Sequence, residues 1–149
     1  MKKYLGIGVF LLTMAVPVLA QTSNEAWFGT WKLNVAKSKF DPGPAPQSET
    51  VTIAPDGKVT VDDTQPDGTA QSWSYTYSEG TEVPITGMPN SSVKETRTAR
   101  TVEHAWKFNG GSYTGKGVMA KNGKSFTYTM DGTDSQGRHE HNVSLYEKQ

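Results

Sequence analysis

The sequence predicts an all-β fold, an antiparallel up-and-down β-barrel of about 8–10 strands, and three observations predict it. From Ser48 to Glu147, large apolar and small polar residues alternate over short runs, the period-two pattern of a half-buried strand. Almost every run ends at a Gly-containing turn signal, which folds neighbouring runs into hairpins. The connections are too short for crossovers, so strands adjacent in sequence become adjacent in the sheet.

Residues 1–20 stand apart from this pattern. Lys2 and Lys3 make a basic start, Leu5 to Val16 an apolar run and Val18-Leu19-Ala20 a small-residue cleavage site, which together read as a secretory signal peptide. Residues 21–149 are then a single barrel domain, expected to be periplasmic or secreted. The apolar run is shorter than the roughly 20 residues a membrane-spanning helix takes, and no second such stretch exists, so the mature chain is expected to lack a membrane span. The chain has no cysteine, which removes lipid anchoring through a thiol, disulfide staples and thiolate chemistry together. Basic and acidic side chains balance at 15 each, and the leader takes two lysines with it. Such a chain lacks the basic stripe of a nucleic-acid binder.

The elements follow in order. The opening strand is Ala26 to Val35, with Trp27, Gly29, Trp31, Leu33 and Val35 on one parity and Phe28 on the other. Prolines at 42, 44 and 46 deny 38–46 a central strand and favour an extended crossing around an edge or end of the barrel. Glu49–Ala54 and Lys58–Asp63 form a hairpin about Pro55-Asp56-Gly57, and Pro66-Asp67-Gly68 leads into Ala70–Ser78. Glu82–Thr86 is short and stops at Gly87-Met88-Pro89-Asn90. Ser92–Thr98 pairs with Thr101–Phe108, Asn109-Gly110-Gly111 turns into Ser112–Ala120, Asn122-Gly123 into Lys124–Asp131, and Asp134–Gly137 into Arg138–Glu147.

Strand parity then assigns an interior. It holds Trp31, Leu33, Val51, Ile53, Val59, Val61, Trp73, Tyr75, Tyr77, Val83, Ile85, Val102, Trp106, Phe108, Phe126, Tyr128, Met130, Val143 and Leu145. Barrels of this size either fill with side chains or keep space for one small ligand. Buried tyrosines and tryptophans need polar partners, which favours a pocket with a few polar groups.

Gly29-Thr30-Trp31 resembles the G-x-W signature of lipocalins, in which the tryptophan plugs one end of the barrel. The longer run from Gly29 to Asn34, with Ala36 to Phe40, also resembles the opening of small exported bacterial proteins described as lipocalin-like. The resemblance implies a calycin-type barrel that binds a small apolar molecule in its mouth, with Lys148 or Arg138 as the late basic residue that covers the tryptophan.

Few residues offer chemistry. His104 is in register with Val102, Trp106 and Phe108, while His139 and His141 share a parity with Val143 and Leu145. If both strands line one interior, three imidazoles converge near one opening, where they could bind a metal or move protons. The ordinary alternative is solvated histidines at the rim. Glu95 and Arg97 share the parity of Val93: they form either an inward pair at a barrel mouth or, as the commoner case, the protective charges of an edge strand. Glu103 and Glu140 alternate outward. Asp62 and Asp63 point to opposite faces and form no dyad. Gly110 to Gly117 fails as a phosphate loop because Gly117 stands where Ser or Thr is needed, so Gly115 and Gly117 are expected beside a bulky aromatic or at a bend. No cofactor is expected.

The leading expectation is therefore a protein holding a small hydrophobic or aromatic molecule, with Trp73, Tyr75, Tyr77, His104, Trp106, Phe126, Tyr128, Met130, His139 and His141 as its wall. One alternative is a small barrel enzyme of the isomerase, hydratase or cyclase type, using His104, His139 and His141. The other is an exported interaction or inhibitor module working through loops such as 38–46.

Overall fold

The computed structural model describes residues 24–149, so the expected leader lies outside the described residues. Single 3-10 turns occupy Asn24–Trp27 and Val35–Lys37, and the rest is strand and turn. The strands are β1 Gly29–Leu33, β2 Lys39–Asp41, β3 Ser48–Ile53, β4 Lys58–Thr64, β5 Ala70–Thr76, β6 Glu82–Pro84, β7 Ser92–Arg97, β8 Thr101–Phe108, β9 Gly111–Met119, β10 Ser125–Thr133 and β11 His139–Lys148. Their order around the wall is β5-β4-β3-β1-β11-β10-β9-β8-β7-β6, every named pairing antiparallel. Ser74 and Thr86 exchange backbone bonds of 2.9 and 2.8 Å, which closes β5 onto the segment after β6. The result is a nearly closed ten-strand barrel, with no helix among the described residues long and apolar enough to cross a membrane.

The first predicted strand, Ala26 to Val35, is shorter than expected: only Gly29–Leu33 is strand, between the two 3-10 turns, and β2 falls within the predicted crossing. Asn34 Oδ1 accepts from the Lys37 amide and nucleates the turn at Val35–Lys37. Ser38 Oγ then stands in for a backbone acceptor, receiving the Leu145 amide at 2.9 Å. The chain resumes as β2, again beside β11 but no longer beside β3. This divergence opens the wall at one end, and the proline crossing spans it, with Pro44 and Pro46 facing the interior.

The opposite end is shut by the resembled motif. Trp31 is fully buried, and its indole N–H donates to the Trp27 carbonyl at 2.8 Å. Phe126 meets Trp27 and Trp31 edge-on, at 5.4 and 5.1 Å between ring centroids. Lys148, not Arg138, covers the tryptophan, its Nζ 4.9 Å from the ring centroid. Gly29 has φ of +122°, and a Cβ there would lie 3.1 Å from Lys148 Cε; the glycine lets the lysine stem lie down on the plug.

One strand departs from the predicted parity. On β11 the inward residues are Glu140, Asn142, Ser144 and Tyr146, whereas Val143 and Leu145 sit half-buried on the outside, next to β2 and the Val35–Lys37 turn. His139 and His141 follow them outward and join Asp131 on the outer face. The predicted convergence of three imidazoles therefore does not occur, and Glu140 is not the outward residue that alternation suggested.

Candidate functional site

Between the plug and the proline crossing lies a cavity of about 620 Å³, within the range of small-molecule sites. Two tight turns at the open end set its rim. In 65–69 the Asp67 carboxylate accepts the Thr69 amide at 2.9 Å and Gly68 takes φ of +87°, which carries the chain from Asp63 on β4 to Trp73 on β5. At Asn109-Gly110 both residues have positive φ, the backbone that Asn-Gly supplies in a hairpin of this hand.

Of the predicted wall residues, Trp73, Tyr75, His104, Trp106, Phe126, Tyr128 and Met130 line this cavity. Tyr77 does not: its ring lies under the Arg97 guanidinium, 4.4 Å from ring centroid to Cζ. His139 and His141 do not either, being outside. The aromatic members are mutually braced, with Trp106 edge-on to both Trp73 and Tyr75 at 5.8 Å and stacked on His104 at 4.5 Å.

Glu95 and Arg97 form the inward pair weighed from the sequence, though buried and not at an open mouth. They are a buried ion pair deep in the barrel, 2% and 9% exposed. β7 is no edge strand, because β6 and β8 flank it. Glu95 Oε1 accepts from Arg97; Oε2 accepts from Tyr75 at 2.6 Å and lies 3.2 Å from His104 Nε2. On the far side of the imidazole, Nδ1 lies 3.1 Å from Tyr128 Oη, which in turn receives the Trp106 indole N–H at 2.6 Å. One proton arrangement satisfies every group: Tyr128 donates to Nδ1, and Nε2–H donates to Glu95. Burial alone raises a carboxyl pKa, but the hydrogen bonds from His104 and Tyr75, with the charge of Arg97, outweigh it and hold Glu95 below its ordinary value. Burial pushes the Tyr75 and Tyr128 hydroxyls up, and Glu95 adds to the rise.

A second polar group occupies another sector of the wall and was missed in the sequence. Glu49 on β3 stands opposite Asp63 on β4; Tyr146 donates to Glu49 Oε1, and Gln65 donates to Asp63 Oδ1 at 2.8 Å. Protein surrounds Glu49, although its side chain keeps contact with the cavity space. Burial raises its pKa, the Tyr146 hydrogen bond works against that, and the Asp63 charge adds to the rise. The Val59-x-Val61-x-Asp63 alternation was the available signal for Asp63; nothing local distinguishes Glu49.

The outer trio is of another kind. Asp131 Oδ1 lies 3.1 Å from His139 Nε2 and Oδ2 lies 2.8 Å from His141 Nδ1, and these contacts hold the exposed Asp131 carboxyl below its usual range. Among the described residues no group of three or more His, Cys, Asp or Glu side chains is placed to hold a metal ion.

Gly115 on β9 fits the expectation of a strand glycine beside a bulky aromatic. A Cβ there would run into the Tyr128 hydroxyl, and one on Gly117 would come within 2.6 Å of Val102 Cγ1. Gly115→Ala is expected to cost about 1–3 kcal/mol by overpacking and to displace Tyr128 from His104. Urea unfolding measures the first effect and the His104 NMR chemical shifts the second; an unchanged midpoint together with unchanged shifts contradicts the packing described.

No family model matches the chain, and no curated protein matches it. Among solved structures it is similar to the wild-type fluorescent protein UnaG, at 16% identity and a TM-score of 0.52, covering 84% of this chain and 98% of that one. A zebrafish ileal bile-acid-binding protein complexed with cholic acid aligns at 10% identity and a TM-score of 0.45, over 83% of this chain and 99% of that one. What the likeness to UnaG shows is the fold, an antiparallel β-barrel.

Proposed function

We propose that this protein is a carrier that holds one small, largely apolar or aromatic molecule inside its barrel. The observation that carries the reading is the cavity itself: about 620 Å³, walled by Trp73, Tyr75, Trp106, Phe108, Phe126 and Tyr128, with a few polar groups fixed among them. A molecule entering past Pro44 and Pro46 buries its faces on rings already held by their neighbours, so little side-chain ordering is left to oppose binding. An acid-base enzyme is the weaker reading. His139 and His141 lie outside, and both ring nitrogens of His104 already have protein partners.

Tryptophan emission is the direct test. Titration with N-phenyl-1-naphthylamine, a neutral aromatic probe, is expected to quench emission saturably at one site, and Trp106→Leu is expected to weaken it by about tenfold. Absence of any saturable response up to the solubility limit removes the reading. We also propose that the chain is exported, which the leader pattern of residues 1–20 supports; protein recovered from its native host is then expected to begin at Gln21, and an intact Met1 start overturns this.

A further inference from the structure

We propose that the cavity selects a cation, an apolar or aromatic amine in its protonated form, and rejects carboxylates. This rests on the reading of the cavity as a small-molecule site and specifies the chemistry of its ligand.

Carboxylates dominate the charges that line the cavity. They are Glu49, Asp63, Glu95 and Glu140 against one permanent cation among the described residues, Arg97. Arg97 is already spent on Glu95 and stacked on Tyr77, so a ligand carboxylate entering the barrel meets no free guanidinium. It meets Glu49, Asp63 and Glu140 instead.

Glu49 and Asp63 are directly opposed across β3 and β4, and each has only one of its two oxygens engaged. Tyr146 occupies Glu49 Oε1 and Gln65 occupies Asp63 Oδ1. Among the described residues no protein donor reaches Glu49 Oε2 or Asp63 Oδ2, although Asp63 is only 9% exposed. Both oxygens are open to the cavity space, and neither is a sealed, unpartnered atom; a carboxylate lining such a cavity is stabilised by a ligand that brings donors and a counter-charge. An ammonium supplies both, with up to three N–H groups for the vacant lone pairs. It also relieves the repulsion between the two carboxyls, one sign of which is the upward shift of Glu49 that Asp63 adds to. The ring faces that line the rest of the cavity favour the same ligand, because a cation held against an aromatic face is attracted by its quadrupole.

The test is calorimetric titration of the purified protein at pH 7 with three probes sharing one ring system: 1-naphthylmethylammonium, 1-naphthylmethanol and 1-naphthoate. The ammonium is expected to bind about tenfold or more tightly than the alcohol, and the naphthoate weakest of the three. Glu49→Gln with Asp63→Asn is expected to abolish the ammonium's preference over the alcohol, bringing the ratio of the two affinities to about one. Both substitutions keep an acceptor for Tyr146 and Gln65, and Glu49→Gln alone provides the same comparison if the double variant does not fold. Naphthoate binding as tightly as the ammonium, or an ammonium preference that survives the substitutions, overturns the inference. If the alcohol binds without this charge order, the cation proposal falls and the carrier reading stands; if none of the three binds and N-phenyl-1-naphthylamine also fails, both fall.

Discussion

Glu95→Gln is expected to lower the unfolding free energy by about 3–5 kcal/mol, the scale for removing one partner of a buried ion pair. The substitution keeps the shape and one acceptor oxygen, so the loss comes from leaving the Arg97 guanidinium buried without its counter-charge. Combining it with Arg97→Met should restore much of the stability, since an apolar replacement of a buried pair is often neutral. Equilibrium urea unfolding of the wild type, the single and the double variant measures both claims. A single variant that loses less than about 1 kcal/mol, the scale of an exposed pair, shows that water reaches Arg97 and that the network is not sealed.

The same group predicts a pH dependence. The folded pKa of Glu95 lies below its ordinary value of 4.5, so its stabilising effect is complete above that value and is lost as pH falls through the lower folded value. The gap in stability between wild type and Glu95→Gln should therefore narrow in acid, because protonated Glu95 resembles the variant. Comparing the two proteins cancels the other carboxylates, including Glu49, whose shift has the opposite sign. A gap that stays constant down to pH 3 contradicts the assignment.

Trp31→Ala is expected to cost about 3–5 kcal/mol and to open the plugged end. Trp31 is fully buried, and truncation removes its contacts with Trp27 and Phe126, the Lys148 ammonium above its ring and the hydrogen bond to Trp27. Large aromatic cores collapse poorly around such a gap, so part of the loss is the cavity left behind. Trp31→Phe should recover a sizeable fraction, since it refills volume while still lacking the indole donor. Thermal and urea unfolding test this series; near-wild-type stability of the alanine variant removes Trp31 from its place as the plug.

Most of the architecture was legible because strand alternation and turn chemistry are local. Thr101–Phe108 is observed at its expected limits, and the other hairpin strands differ at one or both ends by at most a few residues. The G-x-W plug was expected through the resemblance, which left the residue above it open between Lys148 and Arg138; only the structure decides for Lys148. β11 was misread for a physical reason: a strand facing a polar-lined cavity inverts the usual rule, placing Glu140, Asn142 and Ser144 inside and its aliphatics against the outer turn. Alternation shows that two faces differ, and not which of them is the interior.

The site shows the same division. The sequence by itself determined that Trp73 shares a face with Tyr75, Trp106 with Phe108 and Tyr128 with Phe126, because side chains two apart on a strand point the same way; that these faces are inward is the tertiary structure's decision. Only the tertiary structure decided what lies between them. Glu95 and Arg97 are a buried pair because β8 flanks them on one side and the segment before β6 on the other, where the Gly80 amide donates to the Glu95 carbonyl at 2.8 Å, and Glu49 meets Asp63 because the β3–β4 register sets them opposite each other. His104 is separated from His139 and His141 by the direction in which β11 faces. Each of these depends on pairing register and ring closure, which bring together residues up to about a hundred positions apart in the chain, as with Glu49 and Tyr146; no local pattern encodes them.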